Sequence, residues 1–169
     1  MPILEILKYG DNRLKEKSEI VEEFTDEIKT LIQDMTETLK VTGGVGLAAP
    51  QVGVLKRLFI YNMGDETEIT HALINPKIIK KAGTDEWYEG CLSVPGIQGK
   101  VKRALRVMVT GINENGEEVS IKATEYLARC FQHEIDHLDG IIFMDIADPN
   151  TLEPTESFEE KENFSKVNK

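Results

Sequence analysis

Cysteine is scarce in this chain, with only Cys91 and Cys130 among 169 residues. Two thiols cannot build the cross-linked framework of a small secreted domain, and they suit a reducing compartment. No uninterrupted apolar run approaches membrane-spanning length. The opening MPILEILKYGDNRLKEK lacks both the pattern of a secretory leader and the Arg-rich, acid-poor makeup of a transit segment. A cytoplasmic protein is therefore expected. Cations are also in the minority: 20 Lys and Arg face 30 Asp and Glu, for a formal net charge of -10. That balance argues against a nucleic acid or an anionic membrane as the main partner and leaves room only for a local basic patch. No direct nucleic-acid partner and no membrane partner are expected.

What is present supports one domain, since 169 residues with 40% apolar content can bury a single core. Between Thr25 and Val41, apolar Ile28, Leu31, Ile32, Met35 and Leu39 fall on one helical face, with Thr25 as a cap and Gly43-Gly44 as a stop. The stretches VLKRLFIYN, HALINPKII, ALRVMVTGI and EEVSIKA read as short strands, the last two joined by the turn NENG. A second helix runs from a cap at Thr124 through EYLARCFQHEIDHL to Gly140. The expected fold is α+β: antiparallel β-sheets around a central metal-binding helix, plus an N-terminal amphipathic helix, within a domain of residues 1–146. From Asp145 onward seven acidic residues face three basic ones, with Pro149 and Pro154 and no helical stripe, so residues 147–169 read as an acidic, irregular tail.

The chemistry concentrates in QHEIDH. On a helix, His133 and His137 stand one turn apart and face one way, so both imidazoles can hold one metal ion with Glu134 beside it as a base. A catalytic site of this kind takes a third protein ligand. His71 opens a strand and reads as a surface or hydrogen-bonded residue, and Cys130, one turn before His133, reads as a packed thiol. Glu153 or Glu156, which a zincin-like protease would use, sits among prolines without a rigid mount. Cys91 lies in EGCLSVPG, where Gly90 permits close backbone approach and Pro95-Gly96 is expected to turn the chain. Alone it reads as a small buried hydrophobe. Beside the histidine helix its thiolate becomes the expected third ligand. Tyr126, Arg129 and Cys130 share or flank the metal-facing side of that helix, where lining a cavity and simple core packing both remain open readings. The run GGVGLAAPQVG, residues 43–53, leaves the backbone bare for an extended peptide and offers the Gln51 amide, while lacking the lysine of a phosphate loop.

Together GVGLAAPQ, EGCLS and QHEIDH, in this order and separation, resemble the signature motifs of the peptide deformylases, and the resemblance extends from ILKYGDNRLKEKS to about Met144. It implies removal of the formyl group from N-formylmethionyl peptides and nascent chains, with release of formate. Cys91, His133 and His137 would hold the ion, typically Fe2+, with Zn2+, Ni2+ or Co2+ able to replace it. Glu134 would be the general acid/base, and Gln51 with the backbone N–H of Leu92 the oxyanion site. Val45 and Gly46, with Gly90 facing them, would grip the peptide, and Val45, Leu127, Cys130 and the flank of His133 would line the methionine pocket. Two departures stand out. Gln98 occupies a position where many members carry arginine, leaving Lys100, Lys102 or Arg103 as substitutes. The acidic tail differs from the basic C-terminal helix implicated in ribosome docking in many bacterial members, so ribosome contact through the tail is not expected. A zincin-like endopeptidase and a peptide binder without turnover are the rival readings.

Overall fold

The structure is a computed structural model, and it describes residues 3–64 and 69–155. Helix α1 spans Asp26–Thr42. The Thr25 hydroxyl accepts the Ile28 N–H at 3.3 Å, and Gly43, at φ 73°, closes the other end in the left-handed conformation. Its buried face, Ile28, Ile32, Met35 and Leu39, is the apolar stripe of the sequence.

Two antiparallel sheets follow. Strands β1 (Gly46–Ala48), β2 (Leu58–Tyr61), β3 (His71–Ala82), β6 (Arg106–Ile112) and β7 (Glu118–Thr124) form one, in the order β1-β2-β3-β6-β7. Strands β4 (Asp85–Cys91), β5 (Val94–Arg103) and β8 (Glu153–Pro154) form the other. Helix α2 (Glu125–Leu138) packs Ala128, Phe131, Ile135 and Leu138 onto Phe59, Leu73, Val107 and Val109 of the larger sheet. Its other side turns toward β4 and β5. Helix α1 covers the opposite face of the larger sheet, sharing a core with Leu58, Ile60, Ala72 and Ile74. The α+β architecture with a central helix thus stands as expected. His71 also behaves as expected, its Nδ1 lying 2.7 Å from Glu114 Oε1.

Three expectations are corrected. Thr124 precedes α2 without a capping side-chain bond, because the chain enters the helix directly from β7 through Glu125 at φ 54°, whose N–H goes to the Leu105 carbonyl. Pro95-Gly96 does not make the turn after Cys91. Cys91 pairs with Val94, so Leu92 and Ser93 are the hairpin link and Pro95-Gly96 lie within β5.

The third correction concerns residue 146, where the fold does not end. Ala147 is buried, and Leu152 packs on the same small core as Leu14, Val101 and Phe143. Gly99 makes this possible, since a Cβ there would come within 2.6 Å of Leu152 Cδ2. The segment is stitched to β5 by Asp148 N–H to Lys100 O at 3.0 Å, Lys100 N–H to Thr151 Oγ1 at 2.8 Å, and Thr155 N–H to Gly96 O at 2.9 Å. Composition suggested a loose tail because one leucine and a row of backbone bonds leave little mark in it. Residues 156–169 of the expected tail lie outside the described residues.

Leu152→Ala should therefore cost about 1–2 kcal/mol, the scale of a partly buried leucine, and lower Tm by roughly 2–8 °C. Ending the chain at Ile146 should lower it further. Unchanged melting of both proteins in a calorimeter would refute the docking of this strap.

Candidate active site

The β4–β5 hairpin and α2 together assemble the site. A register shift between Glu89 and Cys91 places the irregularity at Gly90 and turns Cys91 inward beside the helix. Cys91 Sγ and a ring nitrogen from each of His133 and His137 lie within 4.8 Å of one another, with Sγ 3.3 Å from His137 Nε2. This is the one group of His, Cys, Asp or Glu side chains placed to hold a metal among the described residues. Glu153 is elsewhere, accepting a bond from Gln98 Nε2 at 2.8 Å, and Glu156 lies outside the described residues. A thiolate with two imidazoles is a donor set for a borderline divalent ion, and ligand distances of about 2.0–2.3 Å suit donors this close. The residues present fit a metal.

Behind His133 lies a buried ionic cluster. His133 Nδ1 is 2.8 Å from Glu89 Oε1; because a carboxylate only accepts, Nδ1 carries a proton there, and Nε2 is the ring nitrogen that would face a metal. Glu89 also accepts both Arg103 Nε and Nη2 at 2.9 Å, and Arg129 Nη1 at 2.7 Å. Burial by itself would raise the Glu89 carboxyl, but the bonds from Arg103 and His133 outweigh it and hold it well below the usual carboxylate range. Arg103 pairs in addition with Asp136, and Arg129 reaches the Val101 carbonyl at 2.8 Å. Arg103 is thus fully engaged and cannot stand in for the arginine that Gln98 replaces. Lys100 holds its Nζ 5.3 Å from the centre of the Tyr88 ring, on the cleft wall.

Glu134 is buried beside the trio, and its Oε1 has no hydrogen-bond partner. Burial raises its carboxyl to about 7. Gly46 makes the room, because a Cβ there would fall 2.6 Å from Glu134 Oε2. Gln51 is fixed from three sides. Its Oε1 accepts the Ala48 N–H at 2.9 Å, and its Nε2 donates to Ser93 Oγ at 3.1 Å and to Cys91 Sγ at 3.4 Å. The N-terminal segment clamps this pair through Leu7 N–H to Gln51 O and Tyr9 N–H to Ser93 O, both 2.7 Å.

A cleft of about 410 Å³ opens over these groups. Val45, Gly46 and Gln51 form one wall; Gly90, Cys91 and Leu92 form the other; Cys130, His133 and Glu134 form the floor. His137 is wholly buried beneath. Leu127 is not on the cleft. It packs into the core between α2 and the larger sheet, and Tyr126 lines the cleft in its place, since one residue along a helix rotates the side chain by about 100°. Cys130 belongs both to the core and to the cleft floor, and burial pushes its thiol up. Glu89, Ser93 and the engagement of Arg103 and Arg129 with Glu89 were not anticipated. One signal was available: Glu89 stands two residues before Cys91 on a strand, and a metal-binding imidazole needs an acceptor for its second nitrogen.

Residues 3–153 match the polypeptide deformylase family. The chain belongs to that family. A peptide deformylase of Halothermothrix orenii is 52% identical over 145 residues, covering 86% of this chain and 94% of the relative. One from Carboxydothermus hydrogenoformans is 48% identical over 148 residues, covering 88% and 95%. The crystal structure of the Thermotoga maritima peptide deformylase superposes with a TM-score of 0.83 at 38% identity, over 88% of this chain and all of that one. The Synechococcus elongatus deformylase, solved in complex with actinonin, gives 0.83 at 36% identity, covering 98% and 86%. Deformylases are metal-dependent hydrolases that remove the N-formyl group from nascent polypeptides, and the donor trio fits that chemistry.

Glu89→Gln keeps the size of the side chain but removes the charge that orients His133. It should weaken metal retention by about 10–100-fold, the usual effect of losing such a partner. Competition against a chelator measures this directly, and parental retention would refute the assignment.

Proposed function

We propose that Cys91, His133 and His137 hold the metal of this deformylase and that Glu134 moves the proton. The observation that carries the reading is a buried carboxylate oxygen without a partner, at the floor of the cleft where the thiol and imidazoles converge. When bound, the ion supplies a Lewis acid that activates water and polarises the formyl carbonyl.

The remaining work falls to the chain. Strand β1 is the free edge of the larger sheet and β4 that of the smaller, so a formylmethionyl peptide can lie between them as an added strand. Bare backbone at Val45 and Gly46 on one side and Gly90 on the other grips it independently of sequence. The methionine side chain points to Val45, Tyr126, Cys130 and the flank of His133. Glu134 takes a proton from the attacking water and returns it to the leaving amine, so that amide and water become formate and a free N-terminus. Charge gathers meanwhile on the formyl oxygen. Gln51 gives up its bond to the Cys91 sulfur to donate there, Ser93 retains the other amide proton, and the Leu92 N–H supplies a second donor. Of the rival readings, the zincin loses its carboxylate to Gln98, and a binder without turnover leaves the buried Glu134 without purpose.

Incubation with formyl-Met-Ala-Ser and with its unformylated counterpart should release formate from the first and no internal fragments from either. Glu134→Gln, at matched metal content, should lower that turnover by at least about a hundredfold. Parental turnover in the variant would remove Glu134 from the mechanism.

Our reading places the activity in the cytoplasm, supported by two unpaired cysteines and by the absence, among the described residues, of a helix able to span a membrane. Ferrous iron is the working ion in this reading, with zinc, nickel and cobalt as substitutes. The donor set supports it, since a thiolate with imidazoles accepts each of these ions. Protein prepared without oxygen and loaded with iron should exceed the zinc form in turnover, and it should lose activity in air as iron or the Cys91 thiolate oxidises. Nickel loading should preserve activity in air. Equal turnover of the matched zinc, nickel and anaerobic iron proteins would mark a zinc enzyme instead.

A further inference from the structure

Helix α2 presents one stripe of side chains to the cleft. Tyr126, Arg129, Cys130, His133 and Glu134 follow one another at steps of three or four residues, and all of them line the cavity. His133 and Glu134 make the metal end of the stripe. Tyr126, Arg129 and Cys130 make the other end, where the first side chain of the substrate is directed. A pocket for a thioether needs only apolar walls, yet this end is rich in hydrogen-bond donors. The Tyr126 hydroxyl has no partner among the described residues, and neither has the Arg129 Nε, because every Arg129 bond leaves from Nη1 or Nη2. Cys130 adds a thiol that burial keeps protonated, a weak donor. Burial raises the Tyr126 phenol as well, and the neighbours that add to the shift, Cys130, Glu89 and Glu134, all line the cleft. The acceptor beside these donors is already filled. Each Glu89 oxygen receives two bonds, from Arg103 and His133 on one and from Arg103 and Arg129 on the other.

Free donors beside a filled acceptor fit a ligand atom that only accepts. The substrate's first residue is methionine, and the polar form open to it is the sulfoxide, in which oxidation places an acceptor oxygen on sulfur and makes that sulfur chiral. We propose that this pocket takes both forms, so that the chain also deformylates peptides beginning with formylmethionine sulfoxide. The proposal rests on the reading that seats the first side chain between Val45, Tyr126 and Cys130. Tyr126 is its specificity-determining residue. The Tyr126 hydroxyl donates to the sulfoxide oxygen, with Arg129 Nε and the Cys130 thiol as further donors. A thioether loses nothing in the same place, because sulfur packs well against the aromatic ring. The reaction itself is the same for both substrates: water and the formyl amide become formate and a free amine, and the sulfoxide leaves with its oxygen.

The test uses the metal-loaded full chain and its Tyr126→Phe variant. Substrates are formyl-Met-Ala-Ser, its norleucine counterpart, and the two separated epimers of its sulfoxide. In the parent, kcat/KM on the better epimer should lie within about tenfold of the value on the methionine peptide, whereas a pocket that left the sulfoxide oxygen unpaired would reject it by up to about a hundredfold. Tyr126→Phe should lower the ratio of sulfoxide to methionine turnover by about three- to tenfold, the scale of one hydrogen bond. The ratio of norleucine to methionine should hold, because neither side chain accepts a bond there. A stronger rejection by the parent, or an unchanged sulfoxide ratio in the variant, would overturn the proposal. Equal rates for the two epimers would overturn it too, since donors held in place serve one epimer better. Dissociation constants of the products Met-Ala-Ser and its sulfoxide, measured by calorimetry on both proteins, should show the same change of ratio. If the parent releases formate from no peptide, the deformylase reading fails, and these binding ratios still decide the pocket.

Discussion

A single buried carboxylate, Glu89, ties the molecule together. It sits on β4, accepts two bonds from Arg103 on β5 and one from Arg129 on α2, and orients His133 on the same helix. Four charge-assisted contacts on one group join the smaller sheet to the helix that rests on the larger one. Removing a partner from such a set typically costs about 3–5 kcal/mol, because the charges left behind stay buried. The same network that joins the two halves of the fold also orients the candidate metal ligand, so stability and site geometry depend on the same atoms.

Close approach is the second constraint. Gly46 allows β1 to pass against the Glu134 carboxylate, and Gly99 allows the C-terminal strap to pack on β5. Each glycine is needed for the side chain it omits, since in both places a Cβ would collide with the end of the facing side chain and force it to shift. The N-terminal segment adds a third fastening, since backbone bonds from Leu7 and Tyr9 hold Gln51 and Ser93 across the gap between the sheets. The cleft is therefore a seam between two sheets, closed by α2 below, with Thr155 of the strap among its lining and Leu7 and Tyr9 fastening it at the side.

Much of this was legible in advance. The α1 stripe and its Thr25 cap were local signals, as was the NENG turn, whose Asn113 side chain accepts the Asn115 and Glu117 N–H groups. The motifs likewise pointed to the trio of Cys91, His133 and His137, which the fold brings within bonding range of one ion. Strands β4 and β5 were harder to read, because their inward positions include Glu89 and Arg103 and so break the alternation of apolar and polar residues that marks a half-buried strand.

The sequence by itself determined the helices and drew attention to QHEIDH and to the thiol of EGCLS, because each rests on spacing within a few residues or on residue type. Only the tertiary structure decided that Tyr126 rather than Leu127 faces the cleft, that the strap beyond Ile146 docks on Gly99, and that Glu89 anchors His133. Those outcomes depend on which faces meet across long sequence separations. A helical face fixes a direction to within one residue's rotation, and a buried charge finds its partners only when distant strands are brought together.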